Sequence, residues 1–340
     1  MSSILPDTTN PATLLSKRFR PEDIPDLSGR VAIVTGGSAG IGYYDALGLA
    51  RANARVIIVS ANQEHGKQAE ADLNKALKES SSTGKVEWHG VNFSTLKDVD
   101  ALAKKLAEQE ERLDILICNA GVGQAPYALT NDGLERHFEI NNLAHYVFVL
   151  RLLPLMKKTT QIAPPTTVRI VMQSSEMHRV APSTTRFSSK EEINENGDGA
   201  MLYGRTKLGL IYFARELVKR KLTDLPPDRP ILAISVHPGT VDTDVQKQWT
   251  ESYGAIGKVL DVLSRAVGKS AEEGAEPSLW AATSIDIFEG NWKDHQGNYY
   301  SEAYGKPGTE SKLAQDSQVS DNFWNFCAKL TQELLGEQLE

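Results

Sequence analysis

The sequence contains little cysteine, no long apolar run and no excess of positive charge. Its 340 residues include two cysteines, Cys118 and Cys327, which form neither a disulfide framework nor a zinc-binding pattern. No apolar run approaches the roughly 20 residues of a membrane-spanning helix. The net charge of −7 argues against nucleic acid or an anionic membrane surface as the main partner. We therefore expect a cytoplasmic protein without a membrane anchor, whose partners are small molecules.

The sequence also lacks the spacing of a metal site and the features of a signal peptide. None of the seven histidines lies in a metal-ligand pattern, so no metal centre is expected. The first 30 residues carry four prolines and no apolar core, which is unlike a secretory signal peptide. We predict that residues 1–28 form an extended arm in front of the first folded element.

Apolar strands and helical patterns alternate along most of the chain. Short apolar runs predict strands at 31–35, 54–60, 86–93, 113–119, 166–174, 230–239 and 297–301. Helical spacing predicts helices at 40–53, 62–79, 95–110, 131–157, 201–221, 246–267, 270–283 and 318–335. This alternation indicates a doubly wound α/β fold, in which helices cover both faces of a mainly parallel, seven-stranded sheet.

Two segments interrupt the regular pattern. Pro154 falls inside the helix predicted at 131–157, so it is expected to bend or end that helix. The polar segment 183–200 has no hydrophobic periodicity and is predicted to be a surface loop. Neither interruption looks like a domain boundary, and we predict a single domain over residues 29–335.

The stretch VTGGSAGIG at residues 34–42 admits two interpretations. Gly36 to Gly40 fits the G-x-S-x-G turn of α/β-hydrolases, with Ser38 as the nucleophile. That turn needs an earlier strand–helix loop for its oxyanion hole, and here only the N-terminal arm precedes the first strand. The favoured alternative is a glycine-rich loop that places backbone N–H groups and a helix N-terminus against a dinucleotide phosphate. It departs from the usual G-x-G-x-x-G, because Asp45 stands at the third glycine position.

Five further motifs follow this loop in order. They are NAG at 119–121, INNLAHY at 140–146, IVMQSS at 170–175, YGRTK at 203–207 and HPGTVDT at 237–243. Together with the glycine loop they resemble the short-chain dehydrogenase/reductase family over residues 29–330. The sequence at 140–146, 203–216 and 297–304 is most similar to its retinol-dehydrogenase-type branch. The resemblance implies a Rossmann-type fold and an NAD(P)(H)-dependent oxidoreductase acting on a ketone, an aldehyde or the corresponding alcohol.

The resemblance also implies a catalytic set formed by Asn141, Ser175, Tyr203 and Lys207. Tyr203 would be the general acid/base, and Lys207, four residues later on the same helix face, would lower its pKa and hold the nicotinamide ribose. Ser175 would bond the substrate oxygen and stabilise its developing charge. Asn141 would hold a water that links Lys207 to solvent. The adjacent residues Ser174 and Asn142 are alternatives for two of these roles.

The same resemblance assigns cofactor-binding residues to the ends of several strands and to one helix. They are Thr35, Gly36, Ser38, Gly40, Ile41, Gly42, Ser60, Asn62, Asn92, Asn119, Ala120, Gly121, Tyr203, Lys207, Pro238, Gly239 and Thr243. An acidic residue after the second strand, which would favour NAD, is absent, because Ser60 occupies that position. The basic residue that marks many NADP enzymes is also absent, since Ala61 stands in its place. With Ser60 and Asn62 able to donate hydrogen bonds, NADP(H) is favoured over NAD(H).

Other functions are compatible with these motifs. The same fold could carry out epimerisation or dehydration, or bind a dinucleotide as a non-catalytic sensor. The segments 183–200 and 244–268 are expected to cover a small-molecule substrate, whose identity the sequence does not reveal. The resemblance further implies a homodimer or homotetramer that pairs through the helices near 131–157 and 201–221.

Overall fold

The computed structural model describes residues 18–162, 168–239, 269–289 and 291–339. Its centre is a sheet of seven strands: β1 (Val31–Thr35), β2 (Arg55–Ser60), β3 (Lys85–Gly90), β4 (Ile115–Cys118), β5 (Val168–Gln173), β6 (Ile231–Val236) and β7 (Tyr299–Tyr300). The strands lie in the order β3-β2-β1-β4-β5-β6-β7, and every neighbouring pair is parallel. The doubly wound α/β fold predicted from the sequence is confirmed, with a sheet that is parallel throughout.

The apolar composition of the strands reflects burial on both faces of the sheet. Every residue of β1, β4, β5 and β6 is buried. A parallel sheet covered by helices excludes water from both faces, so continuous apolar runs are expected. Arg169 is the charged exception in these four strands. Its guanidinium donates to the carbonyl oxygens of Ala281 (2.9 Å) and Ser284 (3.0 Å), and burial lowers its pKa to about 9.

Helices cover the sheet in two layers. They are α1 (Gly40–Arg51), α2 (Gln63–Glu79), α3 (Leu96–Gln109), α4 (Ala144–Thr159), α5 (Lys190–Ile193), α6 (Gly199–Leu217), α7 (Ala271–Thr283), α8 (Ile285–Glu289) and α9 (Ser317–Leu335). One apolar cluster contains residues of α1, α2 and α7, and the other contains residues of α3, α4, α6 and α9. The strand order reverses between β1 and β4, so the loops that follow these two strands meet at one edge of the sheet.

The helix predicted at 131–157 begins later than the sequence pattern indicates. Glu135 fixes the start, because its carboxylate accepts from the backbone N–H groups of His137 (2.9 Å) and Phe138 (3.0 Å). The helical turn Arg136–Phe138 follows this cap. A π-helical turn, Glu139–Leu143, then joins it to α4. The predicted start was therefore wrong, since a buried acidic residue caps the helix inside the expected range.

Pro154 lies within α4 and does not end it. The helix continues beyond the proline to Thr159. A proline inside a helix removes one hydrogen bond and crowds the preceding turn. Here the helix is held by its surroundings, because every residue from 144 to 150 is buried.

The polar segment 183–200 is not a simple surface loop. It contains the short helix α5, and the side chains of Phe187 and Ile193 are fully buried. Arg205 of α6 donates to the carbonyl oxygen of Ile193 (2.6 Å) and so ties the segment to the helix. Most of the segment is a surface loop as predicted, but two apolar residues in this polar stretch anchor it to the core.

The C-terminal helix α9 packs along α6 and also contacts α3. Every residue from Gly204 to Ala214 in α6 is buried, which leaves this helix no exposed face over about three turns. Phe323 and Trp324 of α9 make ring contacts with Phe213 of α6, and Trp324 also contacts Tyr146 of α4. One of the two helices through which subunit pairing was expected, α6, is therefore covered within the chain over these turns.

The end of the N-terminal arm packs against the domain. Phe19 and Leu27 are buried in the apolar cluster of α1, α2 and α7. Arg18 forms ion pairs with Glu273 (3.0 Å) and Glu276 (2.7 Å) of α7. The described part of the predicted arm thus belongs to the fold.

The described residues offer neither a membrane span nor a metal cluster. None of their helices combines the length and apolar character needed to cross a membrane. No three or more of their His, Cys, Asp or Glu side chains are placed to hold a metal ion together. Cys118 and Cys327 are buried free thiols.

We expect Phe323→Ala to lower the free energy of unfolding by about 3–5 kcal/mol, the usual cost of emptying a buried aromatic site. The ring is fully buried and contacts Phe187, Tyr212 and Phe213. Urea denaturation followed by circular dichroism measures the change. Leu129→Ala, at a side chain 52% exposed, is the control and should change stability by less than about 0.5 kcal/mol. Equal losses in the two variants would contradict the packing role of α9.

Candidate active site

The loop between β1 and α1 has a backbone that favours glycine at two positions. Gly36 and Gly40 have φ angles of +69° and +55°. A Cβ atom at Gly36 would lie 2.8 Å from Asn119 Nδ2. Gly42 is equally confined, because a Cβ atom there would lie 2.4 Å from the carbonyl oxygen of Gly36. The glycines therefore let this loop close against the loop that follows β4.

The N-terminus of α1 is open at the carboxyl edge of the sheet. Its N-cap residue, Ala39, makes no side-chain hydrogen bond to the first free N–H groups of the helix. A helix N-terminus after a glycine-rich loop presents backbone donors and the positive end of a dipole to an anion. These residues fit the pyrophosphate of a dinucleotide.

The hydroxyl group of Thr35 joins the loops that follow β1 and β4. It accepts from the backbone N–H groups of Asn119 (3.0 Å) and Ala120 (3.0 Å), and it lies 2.9 Å from Nε2 of His145. Since two N–H groups occupy its acceptor sites, its hydrogen is left for His145. The Asn119 side chain also donates to the carbonyl oxygen of Thr35 (3.1 Å). These contacts fix β1, β4 and α4 to one another at the edge of the sheet.

His145 carries the same network into the π-helical turn. Its Nδ1 lies 3.0 Å from the carbonyl oxygen of Asn141, so we assign the hydrogen to Nδ1 and the acceptor role to Nε2. Burial lowers the pKa of His145 to about 4. The ring is therefore neutral near pH 7, as its bonds to Thr35 and Asn141 require. π-Helical turns are frequent at functional sites, and this one places Asn141 at the site.

The side chain of Asn141 connects a loop to α6. Its Oδ1 accepts from the N–H of Val122 (2.8 Å), while Nδ2 donates to the carbonyl oxygen of Val122 (3.0 Å) and to Thr206 Oγ1 (2.9 Å). Both amide hydrogens are thus used within the protein. A relay water between Asn141 and Lys207 would have to bond an oxygen atom of Asn141. The neighbouring Asn142 donates instead to the carbonyl oxygen of Thr206 (2.9 Å).

Ser174 and Ser175 have different partners at the end of β5. Ser174 is buried, and its Oγ donates to the carbonyl oxygen of Lys207 (2.7 Å). Ser175 Oγ accepts from the N–H of Met177 (3.1 Å). Burial raises the pKa of Tyr203, and hydrogen bonding with Ser175 opposes that rise. The structure thus places Ser175, and not Ser174, beside the Tyr203 phenol.

Tyr203 and Lys207 lie one turn apart on α6 and face the same site. Lys207 Nζ lies 5.3 Å from the centre of the Tyr203 ring and donates to the carbonyl oxygen of Gln173 (2.7 Å). Burial lowers the pKa of Lys207 to about 7. The expectation that Lys207 lowers the pKa of Tyr203 stays a prediction, and in the protein alone burial has the larger effect. Burial raises the pKa of Tyr203, and a lysine that is half-neutral near pH 7 offers little charge to oppose it.

Known proteins of similar sequence match most of the length of this chain. A family model described as short chain dehydrogenase matches residues 30–181. Bli-4 of Neurospora crassa, whose name places it among mitochondrial oxidoreductases, is 33% identical over 318 residues, which cover 93% of this chain and 74% of the relative. Retinol dehydrogenase 12 of Mus musculus is 32% identical over 317 residues, which cover 92% of this chain and 89% of the relative. The chain belongs to the short-chain dehydrogenase/reductase family.

Solved structures share the fold. A crystal structure of a protein from Mycobacterium paratuberculosis matches with a TM-score of 0.67 and 25% identity, over 93% of this chain and 98% of that one. Solved structures of similar fold include complexes with NADP and NADPH. The predicted family is thus confirmed, and the similarity to retinol dehydrogenase 12 confirms the branch that the motifs indicated.

The other cofactor residues predicted for this short-chain dehydrogenase/reductase also follow the carboxyl ends of strands. Ser38 and Gly121 belong to the loops after β1 and β4, Ile41 lies in the first turn of α1, and Ser60, Asn62, Asn92, Pro238 and Gly239 end or follow β2, β3 and β6. Asn62 Oδ1 caps α2 by accepting from the N–H of His65 (2.9 Å). Asn92 Oδ1 accepts from the N–H of Ser94 (3.0 Å). Thr243 and the segment 244–268 lie outside the described residues.

Two buried residues at the site, His145 and Gln173, are only weakly indicated as site residues by the sequence. His145 stands four residues after Asn141, which puts it on the same helical face. Gln173 is a polar residue that ends the apolar run of β5. Its side-chain amide is buried and has no hydrogen-bond partner among the described residues, which is rare for a buried polar group.

Asp45, at the third glycine position of the fingerprint, is buried between α1 and α7. Its Oδ1 accepts from Ser278 Oγ, while Oδ2 has no partner among the described residues. Burial raises the pKa of Asp45 to about 8. The carboxyl is therefore largely protonated near pH 7. Asp45 replaces the third glycine of the G-x-G-x-x-G pattern. Because it is largely protonated, it places no full negative charge beside the glycine loop.

We expect Asp45→Asn to stabilise the protein by about 1–3 kcal/mol at pH 8 and above, because a buried charge is removed. The pKa of Asp45 is raised from 3.8 to about 8, so the folded state keeps a proton that the unfolded state loses in this range. The stability of the unmodified protein should fall as the pH rises from about 4 to about 8, and this fall should be smaller in the variant.

Thermal unfolding across this pH range tests the effect. Asp228→Asn is the control, because its side chain is 77% exposed and its removal should leave the pH dependence unchanged. If Asp45→Asn followed the same pH profile as the unmodified protein, the raised pKa of Asp45 would be refuted.

Proposed function

We propose that this protein is an NADP(H)-dependent oxidoreductase that reduces a ketone or aldehyde, or oxidises the corresponding alcohol. The proposal rests on one observation: Ser175, Tyr203 and Lys207 converge at the edge of the sheet where the glycine loop lies. When bound, the cofactor supplies or accepts the hydride at its nicotinamide ring. The protein must then exchange a proton with the substrate oxygen.

Tyr203 is the group placed to exchange that proton. The residue as a whole is partly exposed, while burial of its phenol raises its pKa above the ordinary value. A phenol with a raised pKa keeps its proton near neutral pH and can donate it to a developing alkoxide. Ser175, beside it, would bond the same oxygen and stabilise its charge.

Lys207 supports Tyr203 from within the protein. Its Nζ is held by the carbonyl oxygen of Gln173 at 2.7 Å. Because burial brings its pKa to about 7, Lys207 can gain or lose a proton near neutral pH. In its charged form it would stabilise the Tyr203 phenolate left after proton transfer.

The preference for NADP(H) over NAD(H) rests on the end of β2. No acidic residue stands at positions 60–62, where a carboxylate would bond the ribose hydroxyls of NAD and repel a 2′-phosphate. Ser60 and Asn62 carry hydrogen-bond donors instead.

An exposed apolar side chain near Tyr203 favours an apolar carbonyl substrate. Val180 is 41% exposed. It approaches α6 next to Tyr203, since a Cβ atom at Gly204 would lie 2.9 Å from its Cγ2. Apolar surface beside a polar catalytic group is typical of a small-molecule site.

Tyr203→Phe should lower kcat by at least about 100-fold, because it removes the proton donor while keeping the ring. The loss of absorbance by reduced nicotinamide, with a panel of apolar and aromatic ketones and aldehydes, measures turnover. Cofactor affinity, measured by calorimetry, should change little. Ser38→Ala is the matched control: it removes a hydroxyl from the glycine loop and should leave kcat nearly unchanged.

The alternatives predict different outcomes in the same assay. A dinucleotide sensor would bind cofactor without turnover and would be unaffected by Tyr203→Phe. An epimerase or dehydratase would convert substrate without a net change in nicotinamide absorbance. A loss in Ser38→Ala as deep as that in Tyr203→Phe would contradict the assignment of Ser38 to the cofactor loop.

We also propose that the protein acts as a single chain, because α9 covers α6, one of the two helices through which pairing was expected. Light scattering after gel filtration should give the mass of one chain. Removal of residues 317–340 should expose the apolar face and cause association. A dimer of the full chain would contradict this proposal.

A further inference from the structure

The indole of Trp88 lies next to the residue that ends β2. Trp88 belongs to β3 and pairs with Ile58 of β2, while Ser60 pairs with Gly90. The indole Nε1 donates to Ser60 Oγ at 3.0 Å. Its ring is partly buried against the apolar cluster that contains α1 and α2. A side chain of β3 thus donates a hydrogen bond to Ser60, which occupies the position where an acidic residue would favour NAD over NADP.

Two glycines make room for this indole. A Cβ atom at Gly66, in the first turn of α2, would lie 2.1 Å from Trp88 Nε1. A Cβ atom at Gly90 would lie 2.8 Å from Cη2 of the same ring. The chain around Trp88 therefore leaves space for the indole on both sides and holds it against Ser60.

The hydrogen bond from Trp88 fixes what the Ser60 hydroxyl can do. An indole N–H only donates, whereas a serine hydroxyl has one hydrogen to donate and two lone pairs to accept. With one lone pair directed at Trp88, the hydroxyl hydrogen has no acceptor among the described residues. Asn62 behaves similarly, because its oxygen accepts from His65 and its amide hydrogens remain. The end of β2 therefore presents donors.

We infer that Trp88 is a specificity-determining residue, which holds Ser60 as a hydrogen-bond donor towards the 2′-phosphate of NADP(H). The inference rests on the proposed function and adds a residue from β3 to it. The oxygens of a phosphate accept hydrogen bonds, so a fixed donor favours them. A ribose hydroxyl donates as well as accepts, and it gains less from a partner that has one of its two lone pairs already occupied.

Nucleotide binding by the protein without substrate tests this role. Calorimetry with adenosine 2′,5′-bisphosphate and with adenosine 5′-monophosphate separates the 2′-phosphate from the rest of the nucleotide. Trp88→Phe, which keeps an aromatic ring but removes the N–H, should weaken binding of the bisphosphate about threefold to tenfold, as expected for one hydrogen bond. Binding of the monophosphate should stay within about twofold of the unmodified protein.

Ser60→Ala completes a double-mutant cycle. It should weaken bisphosphate binding at least as much as Trp88→Phe does. The double variant should bind like Ser60→Ala alone, because Trp88 acts through Ser60. Trp292→Phe is the matched control, since its indole also donates, to the carbonyl oxygen of Pro227 (3.2 Å), and it should change neither affinity.

The outcomes distinguish this inference from the proposed function. Equal losses for both nucleotides in Trp88→Phe, or additive losses in the double variant, would overturn the role of Trp88 and leave the oxidoreductase proposal standing. If the unmodified protein bound neither nucleotide, the role of Trp88 and the oxidoreductase proposal would both be overturned. Unfolding temperatures of the variants show whether a loss of binding reflects a loss of fold.

Discussion

The hydroxyl group of Thr35 is the contact on which the site depends. It accepts from the N–H groups of Asn119 and Ala120 and donates to His145, which in turn holds the carbonyl oxygen of Asn141. One side chain can do this because β1 and β4 are neighbours where the strand order reverses. Without that hydroxyl, two backbone donors and a buried histidine would lose their partner, each at a cost of about 1–3 kcal/mol.

Burial sets the protonation states of the titratable side chains near the Thr35 hydrogen bonds. It holds His145 neutral, brings the pKa of Lys207 to about 7 and raises the pKa of Tyr203. The exclusion of water comes largely from tertiary packing, since α9 closes over α6, the helix that carries both catalytic candidates. Such burial costs stability, because the charged forms lose their hydration. The large aromatic and aliphatic clusters on both faces of the sheet offset that cost.

Much of the fold could be predicted because the signals that define it are local. A buried parallel strand is an apolar run and a covering helix has its own period, so all seven strands were found. The failures have a common cause in the contacts of individual side chains, which leave the hydrophobic pattern unchanged. Glu135 delays the start of a helix by capping it, and Phe187 and Ile193 anchor a polar segment that lacks periodicity. Neither effect can be read from periodicity.

The sequence by itself determined the fold class, the family and the order of the site motifs, because these depend on spacing along the chain. Only the tertiary structure decided which of two serines faces Tyr203, how His145 joins the cofactor loops to Asn141, and that Trp88 bonds Ser60. It also showed that burial raises the pKa of Tyr203 in the protein alone. The physical reason is the same in each case: hydrogen-bond direction and desolvation depend on groups that are distant in sequence and meet only when the sheet and its helices have packed.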